Sequence, residues 1–183
     1  MRRLLSFLTA LCMLFLCTSA LAETATQTLV DTEDFTLTLD PGAQYQESQN
    51  EQNMLFLMVF PYAASGDTGS NITISKNTPF ISTAILWKSQ IPQLESSMRE
   101  QYEAQGITVN TISFSDPEDT TLNGKDCVYI SIEAELTYLS MPIPLYQAIY
   151  QIGSYSYTFS VNATTKETLV SLIQLLNNSL KWK

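Results

Sequence analysis

Glu133 and Glu135 have the spacing that could support general acid–base chemistry. They lie two residues apart in a segment with strand periodicity, so both side chains emerge on the same face of that strand. A catalytic pair also needs a partly buried setting that raises the pKa of one carboxyl group. Solvated carboxylates near the end of a strand are common without any function, and this is the interpretation that we favour.

Two further acidic segments resemble known sites without matching them. Asp67-Thr68-Gly69-Ser70 has the residues of an aspartic protease motif, in which two aspartates share a proton. No apolar strand precedes it, and a single copy would need a symmetric dimer, so we interpret it as a turn. The loop from Asp116 to Asp119 could contact calcium but lacks the spacing of a dedicated calcium site. A solvated turn is the default interpretation there.

Histidine is absent from the sequence, which removes Ser-His-Asp and Cys-His catalysis and the commonest zinc ligand. Cys12 and Cys17 lie in the N-terminal apolar run, so Cys127 remains as the only cysteine beyond it. It stands in the strand-like run Cys127-Val128-Tyr129-Ile130, which favours a small core residue over a reactive thiol or an intermolecular bridge. We therefore predict no enzymatic activity, no cofactor and no metal.

Residues 1–22 have the organisation of a secretory signal peptide. Arg2 and Arg3 form the charged start, an apolar run follows, and Ala20-Leu21-Ala22 resembles a cleavage site. An uncleaved anchor is one alternative, but the Ala20-Leu21-Ala22 site favours cleavage. Lipid attachment is another, but it requires a cysteine after a small residue, and both Cys12 and Cys17 follow leucine. The sequence predicts a secreted or extracytoplasmic protein cleaved after Ala22. No later apolar run has spanning length, so no membrane insertion is expected after cleavage.

Cleavage would leave 161 of the 183 residues, with seven basic and 18 acidic side chains and a formal charge of −11. The basic residues are scattered singly, which disfavours nucleic acid and anionic membranes as partners. The length suits one domain. We predict a flexible arm over residues 23–34 and a single domain over residues 35–183, because the arm is polar and lacks an apolar period.

The apolar periodicity predicts an α+β fold. Alternation or continuous apolar runs predict strands at Phe35–Leu39, Met54–Phe60, Asn71–Ser75, Ile107–Phe114, Val128–Leu136, Leu145–Ile152 and Tyr155–Val161. Short turns between them, including Asn123-Gly124, favour antiparallel pairing. Helical spacing from Ser82 to Gln105 predicts a helical segment whose apolar stripe is Trp87, Ile91, Leu94, Met98 and Tyr102. Pro92 either kinks this segment or starts it anew, and we favour a helix that runs at least from Pro92 to Gln105. A second helix is expected after Thr164 or Thr165, with an apolar stripe reaching Leu180. We expect a mostly antiparallel sheet of about six or seven strands flanked by helices on both faces, an α/β/α sandwich.

The segment from Tyr138 to Pro144 is the candidate contact surface. Two prolines are expected to block regular strand pairing, so apolar side chains could stand exposed as a contact patch. A loop that folds back onto the core is the alternative. The candidate contact residues are Tyr138, Met141, Pro142, Ile143 and Pro144.

The chain from Phe35 to Trp182 resembles the PsbP-like α/β/α sandwich family of small secreted or lumenal proteins. The resemblance rests on Ser70–Ile74 leading to a long helix, on Leu122-Asn123-Gly124 opening a long strand, and on Gln147–Gln151 returning through Gly153 to Tyr157-Thr158. It implies a non-enzymatic accessory protein that binds an unidentified protein partner, but supplies no ligand-binding residues. Some members of that family act in photosynthesis or bind Ran, but nothing in this sequence supports either function.

Two other functions stay open from the residues. A carrier or sensor could hold a small apolar ligand between sheet and helix, and its walls would be Tyr146, Tyr150, Tyr155, Tyr157 and Phe159. A hydrolase would use Glu133 and Glu135. Ordinary core packing of the aromatic side chains is the competing interpretation.

Overall fold

The computed structural model describes residues 28–49, 55–67, 69–76, 83–153 and 156–183. Within these residues the chain forms eleven strands and two α-helices. In chain order they are β1 Thr28–Asp31, β2 Phe35–Leu39, β3 Gln44–Gln49, β4 Leu55–Phe60, β5 Asn71–Lys76, α1 Ala84–Ala104, β6 Thr108–Phe114, β7 Glu118–Leu122, β8 Lys125–Tyr138, β9 Met141–Ile152, β10 Tyr157–Ala163, α2 Lys166–Ser179 and β11 Leu180–Trp182. The predicted signal peptide lies outside the described residues.

The strands form two antiparallel sheets. The larger has the order β3-β4-β5-β10-β9-β8-β6, and β7 pairs with β8 beside β6. The smaller has the order β1-β2-β11. The predicted α+β class with mostly antiparallel pairing is confirmed. The prediction of one sheet with about six or seven strands is wrong, because β1, β2 and β11 pair only with each other.

Residues 28–31, which belong to the expected flexible arm of residues 23–34, form a strand. Thr28–Asp31 pairs with β2, and Val30 is buried. A short turn closes this hairpin, in which the Thr32 hydroxyl accepts from the Phe35 amide at 3.1 Å and donates to its carbonyl at 2.9 Å. Leu29 and Asp31 are exposed on either side of Val30, and a single buried side chain gives no readable period, so only the pairing with β2 reveals the strand.

Helix α1 is a single helix with Pro92 inside it, rather than one that restarts there. Pro92 is exposed, so its ring points to solvent. The Thr83 hydroxyl caps the first turn by accepting from the Leu86 amide at 3.3 Å. Of the predicted apolar stripe, Trp87, Leu94, Met98 and Tyr102 are buried, and Ile91 is half-buried. No helix among the described residues is long and apolar enough to cross a membrane.

Buried apolar side chains form two separate clusters. One contains Leu172 and Leu176 of α2, with residues of the smaller sheet and of β4, β5, β9 and β10. The other contains the α1 stripe, with Val128, Ile130, Ile132, Ala134 and Leu136 of β8. Helix α2 begins after Thr165, as predicted. Leu180, expected on its apolar stripe, starts β11 instead because it pairs with Leu37.

The Asn123-Gly124 turn between β7 and β8 is confirmed, with φ values of 49° and 82°. These left-handed angles favour asparagine and glycine. The Asn123 side-chain amide also donates to the carbonyls of Asn177 at 3.0 Å and Leu180 at 2.7 Å. The turn therefore ties the hairpin to the C-terminal end of α2.

Replacement of Asn123 by alanine is expected to lower the free energy of unfolding by about 1–2 kcal/mol, because it removes both hydrogen bonds and a residue suited to a left-handed position. Urea unfolding measures the loss. Thr121→Ala, on the exposed surface of β7, is the control. Equal losses in the two variants would contradict this role of the side chain.

Candidate functional site

The candidate contact segment is the end of the long β8–β9 hairpin. Leu139 and Ser140 form a two-residue turn, and Tyr138 pairs with Met141 on either side of it. We call residues 138–144 the hairpin tip. The expectation that Pro142 and Pro144 block regular pairing is wrong: both lie within β9, opposite Thr137 and Glu135.

The position of β9 in the sheet explains why it accepts two prolines. Strand β10 reaches only to Ala163, which pairs with Tyr146, so residues 141–145 have β8 on one side and no strand of the described chain on the other. In a two-residue hairpin the closing pair is hydrogen-bonded, and the next pair is not. Pro142 and Pro144 therefore direct their nitrogens away from β8, where proline removes no ladder hydrogen bond.

The hairpin tip exposes large apolar side chains. Leu139 is 74% exposed and Met141 is 58% exposed. Pro142 and Pro144 are also exposed, whereas Tyr138 and Ile143 are half-buried and pack against the α1 cluster. Leu139 is not among the contact residues predicted from the sequence, because the prolines are visible in the sequence and the turn that places this side chain at the apex is not.

Glu133 and Glu135 are both exposed on the same face of β8. The Glu133 carboxylate binds Lys166 Nζ at 2.8 Å, and this hydrogen bond raises the pKa of Lys166. The same ammonium group lies 5.5 Å from the centre of the Tyr146 ring. The glutamates thus belong to a charged surface, which lacks the buried setting that an acid–base pair needs.

Asp67 closes the turn that the sequence predicted. Its Oδ1 atom accepts from the amides of Gly69 and Ser70, both at 3.0 Å. This local hydrogen bonding is typical of an aspartate turn.

The acidic loop is only partly a solvated turn, because Glu118 and Asp119 belong to β7. Asp119 Oδ1 accepts from the Ala84 amide at 3.0 Å, at the start of α1, and Asp116 binds Lys88 Nζ at 2.8 Å. Both carboxylates therefore contact the first two turns of α1. Among the described residues no three histidine, cysteine or acidic side chains converge as a metal site.

Cys127 is buried in the cluster that contains α2. Burial, with a smaller effect from Asp126, raises the pKa of its thiol to about 11. A thiol with this pKa is protonated at neutral pH and unreactive. The prediction of a small core residue is confirmed.

A polar cluster that the sequence does not predict joins the two sheets. Asp34 Oδ2 accepts from Lys76 Nζ at 2.7 Å and from the Tyr157 hydroxyl at 2.9 Å. The Lys76 hydrogen bond, with help from Tyr157, holds the pKa of Asp34 below its usual value despite partial burial. Burial and then the Asp34 carboxylate raise the pKa of Tyr157. These residues are far apart in sequence, and no spacing pattern could have indicated them.

The aromatic side chains proposed as walls of a ligand site mostly pack on other rings. Tyr157 and Phe159 contact Phe35 and Trp182, with ring centroids 5.4–6.3 Å apart. Tyr150 lies 5.0 Å from the Tyr129 ring, and burial raises its pKa to about 12. Tyr155 lies outside the described residues. These contacts are typical of core packing.

Comparison with solved structures finds several matching chains, and a cyanobacterial PsbP protein is among them. The solution structure of cyanobacterial PsbP (CyanoP) from Synechocystis sp. PCC 6803 superposes with a TM-score of 0.47 and 10% identity, over 91% of this chain and 97% of that one. No protein-family model and no curated protein matches the sequence. The likeness concerns the path of the chain alone, and membership of the PsbP-like family stays a prediction.

Proposed function

We propose that this protein is a secreted or envelope-associated accessory protein, not an enzyme, and that it binds another protein through the hairpin tip. The observation that carries the proposal is the exposure of Leu139 and Met141 at the end of a hairpin that extends past β10. Apolar side chains grouped at a projecting end favour contact with a partner, whereas single exposed apolar residues are ordinary. Extracytoplasmic location rests on the signal-peptide pattern of residues 1–22.

The contacts of the reactive side chains support the same interpretation. Glu133 is paired with Lys166, Asp67 closes a turn, Cys127 is buried and Asp34 joins the two sheets. Each of these groups has a structural role in the described chain. The hairpin tip has exposed side chains without such a role.

We further infer an α/β/α sandwich, with the two helices on opposite faces of the larger sheet. Neighbouring residues on a strand enter different clusters: Cys127 and Ala148 belong to the cluster that contains α2, and Val128 and Ile149 to that of α1. Successive side chains of a strand point to opposite faces, which supports this arrangement. The hairpin tip then projects from the end of the sandwich.

Capture from the envelope fraction of the producing organism tests the binding function. We expect the protein to retain one specific partner, and Leu139→Ser combined with Met141→Ser to abolish this capture, because the apolar contact is lost. Val170→Ser is the matched control, since Val170 is 53% exposed on α2, away from the tip. Capture that the tip substitutions leave unchanged, or no specific capture, would contradict the proposal.

A further inference from the structure

The open edge of the hairpin tip cannot recruit a partner strand in the usual way. Strand addition needs alternating amide donors and carbonyl acceptors along a free edge. On this edge the backbone groups that point outward belong to Pro142 and Pro144, which supply carbonyls but no amide hydrogen. Any partner must therefore contact side chains rather than continue the sheet.

The turn at the tip has a strained conformation that displays a leucine. Leu139 and Ser140 have φ values of 49° and 66°, both left-handed. The Asn123-Gly124 turn in the same chain has nearly the same angles, 49° and 82°, with the residues that this geometry prefers. Leucine is disfavoured at such a position, and strain of this kind concentrates at functional sites. The Leu139-Ser140 turn is therefore less stable than the Asn123-Gly124 turn, and it exposes Leu139.

Two exposed glutamates lie on the elements next to the hairpin tip, one on β8 and one on α1. Residues 138–144 carry no charge, whereas Glu135 lies opposite Pro144 and is exposed. Glu103 is exposed in the last turn of α1, which ends beside the start of β6, where Thr108 pairs with Thr137. Neither glutamate has an ion-pair partner in the described chain.

The nearby cations are already paired, so they do not offset these charges. Arg99 binds Glu95 at 2.9 Å, and Lys166 binds Glu133 at 2.8 Å. An apolar apex with an acidic border is complementary to an apolar socket with a basic border.

We infer that the hairpin tip inserts Leu139 and Met141 into an apolar socket on a partner protein whose rim carries lysine or arginine side chains. This inference rests on the proposed function and specifies the chemistry of the partner. Two other partners fit this chemistry less well. A zwitterionic bilayer has no lysine or arginine side chains, and a second copy of this acidic chain would repel the first.

Binding to a labelled amphipathic helical peptide of leucine and lysine tests the inference. We expect the protein to bind this peptide, and Leu139→Ser with Met141→Ser to weaken binding about 30-fold. Glu135→Gln with Glu103→Gln should weaken binding about threefold and flatten its salt dependence. Val170→Ser should leave binding unchanged. Binding that is equally strong for the wild type and the tip variant would be unspecific charge attraction and would overturn the inference.

Three further binding measurements test partners other than an apolar socket with a basic rim. Tip-dependent binding of a leucine–glutamate peptide, tip-dependent binding of phosphatidylcholine vesicles, or tip-dependent self-association in sedimentation would each overturn the basic socket. Tip-dependent capture from the envelope would still support the proposed function in those cases, so the two failures are distinguishable.

Leu139→Asn with Ser140→Gly provides a folded test variant, because it should raise the melting temperature by about 3 °C while weakening peptide binding. A lower melting temperature for this variant would contradict the strain argument.

Discussion

Replacement of Phe35 by alanine is expected to lower the free energy of unfolding by about 3–5 kcal/mol, the usual range for a fully buried phenylalanine. Phe35 has no exposed surface and contacts three rings: Tyr157 and Phe159 of the larger sheet and Trp182 of the smaller. Its loss leaves a cavity at the junction of the two sheets, which rigid strands on both sides cannot readily close.

Denaturant unfolding monitored by circular dichroism measures this loss. Leu29→Ala is the control, because Leu29 is 56% exposed on the neighbouring strand β1 and its truncation should cost little. A loss below about 1 kcal/mol for the Phe35 variant would contradict the packing of the smaller sheet on the larger one.

Replacement of Asp34 by alanine is expected to lower the free energy of unfolding by about 2–3 kcal/mol at neutral pH. The substitution leaves the buried Tyr157 hydroxyl without its carboxylate acceptor and removes the ion pair with Lys76. Asp34→Asn retains a carbonyl acceptor and should cost about half as much. Glu33→Gln is the matched control, since its side chain is 89% exposed and lies 3.9 Å from the same ammonium group.

The Asp34 contribution should also depend on pH. The pKa of Asp34 is lower in the folded protein than in the unfolded chain, where it is about 3.9. Its stabilisation is therefore fully present above that unfolded value and is lost as the pH falls through the folded pKa. The difference in stability between wild type and Asp34→Asn should be constant from pH 5 to 7 and shrink below about pH 4. A difference that stays constant down to acid unfolding would contradict the ion pair.

The elements with strong periodicity could be predicted from the sequence. Phe35–Leu39 alternates, the α1 stripe repeats every three or four residues, and Asn123-Gly124 fits one turn type, so each pattern indicates its structure locally. Strand β3 was missed, because Gln44–Ser48 are polar and exposed and an edge strand of this composition has no apolar period. Strand β1 was missed because its pairing with β2 defines it.

The conformation of the candidate contact segment could not be predicted from the sequence. Apolar and proline residues between Tyr138 and Pro144 indicated a contact surface, and the prolines suggested an irregular loop. The structure shows a paired hairpin, because β10 ends opposite Tyr146 and leaves a free edge where proline is tolerated. That fact depends on where another strand ends, which no local pattern contains.

The sequence by itself determined the chemical inventory of this protein: no histidine, one cysteine beyond the N-terminal segment, an excess of acidic residues and a signal-peptide pattern. Composition and local periodicity fix these features, since they do not depend on distant contacts. Only the tertiary structure decided that Asp34, Lys76 and Tyr157 meet, that the smaller sheet exists and that Leu139 stands at the apex. The polar cluster and the smaller sheet depend on contacts between residues distant in sequence, which burial and strand register determine. The position of Leu139 depends on the conformation of the hairpin turn.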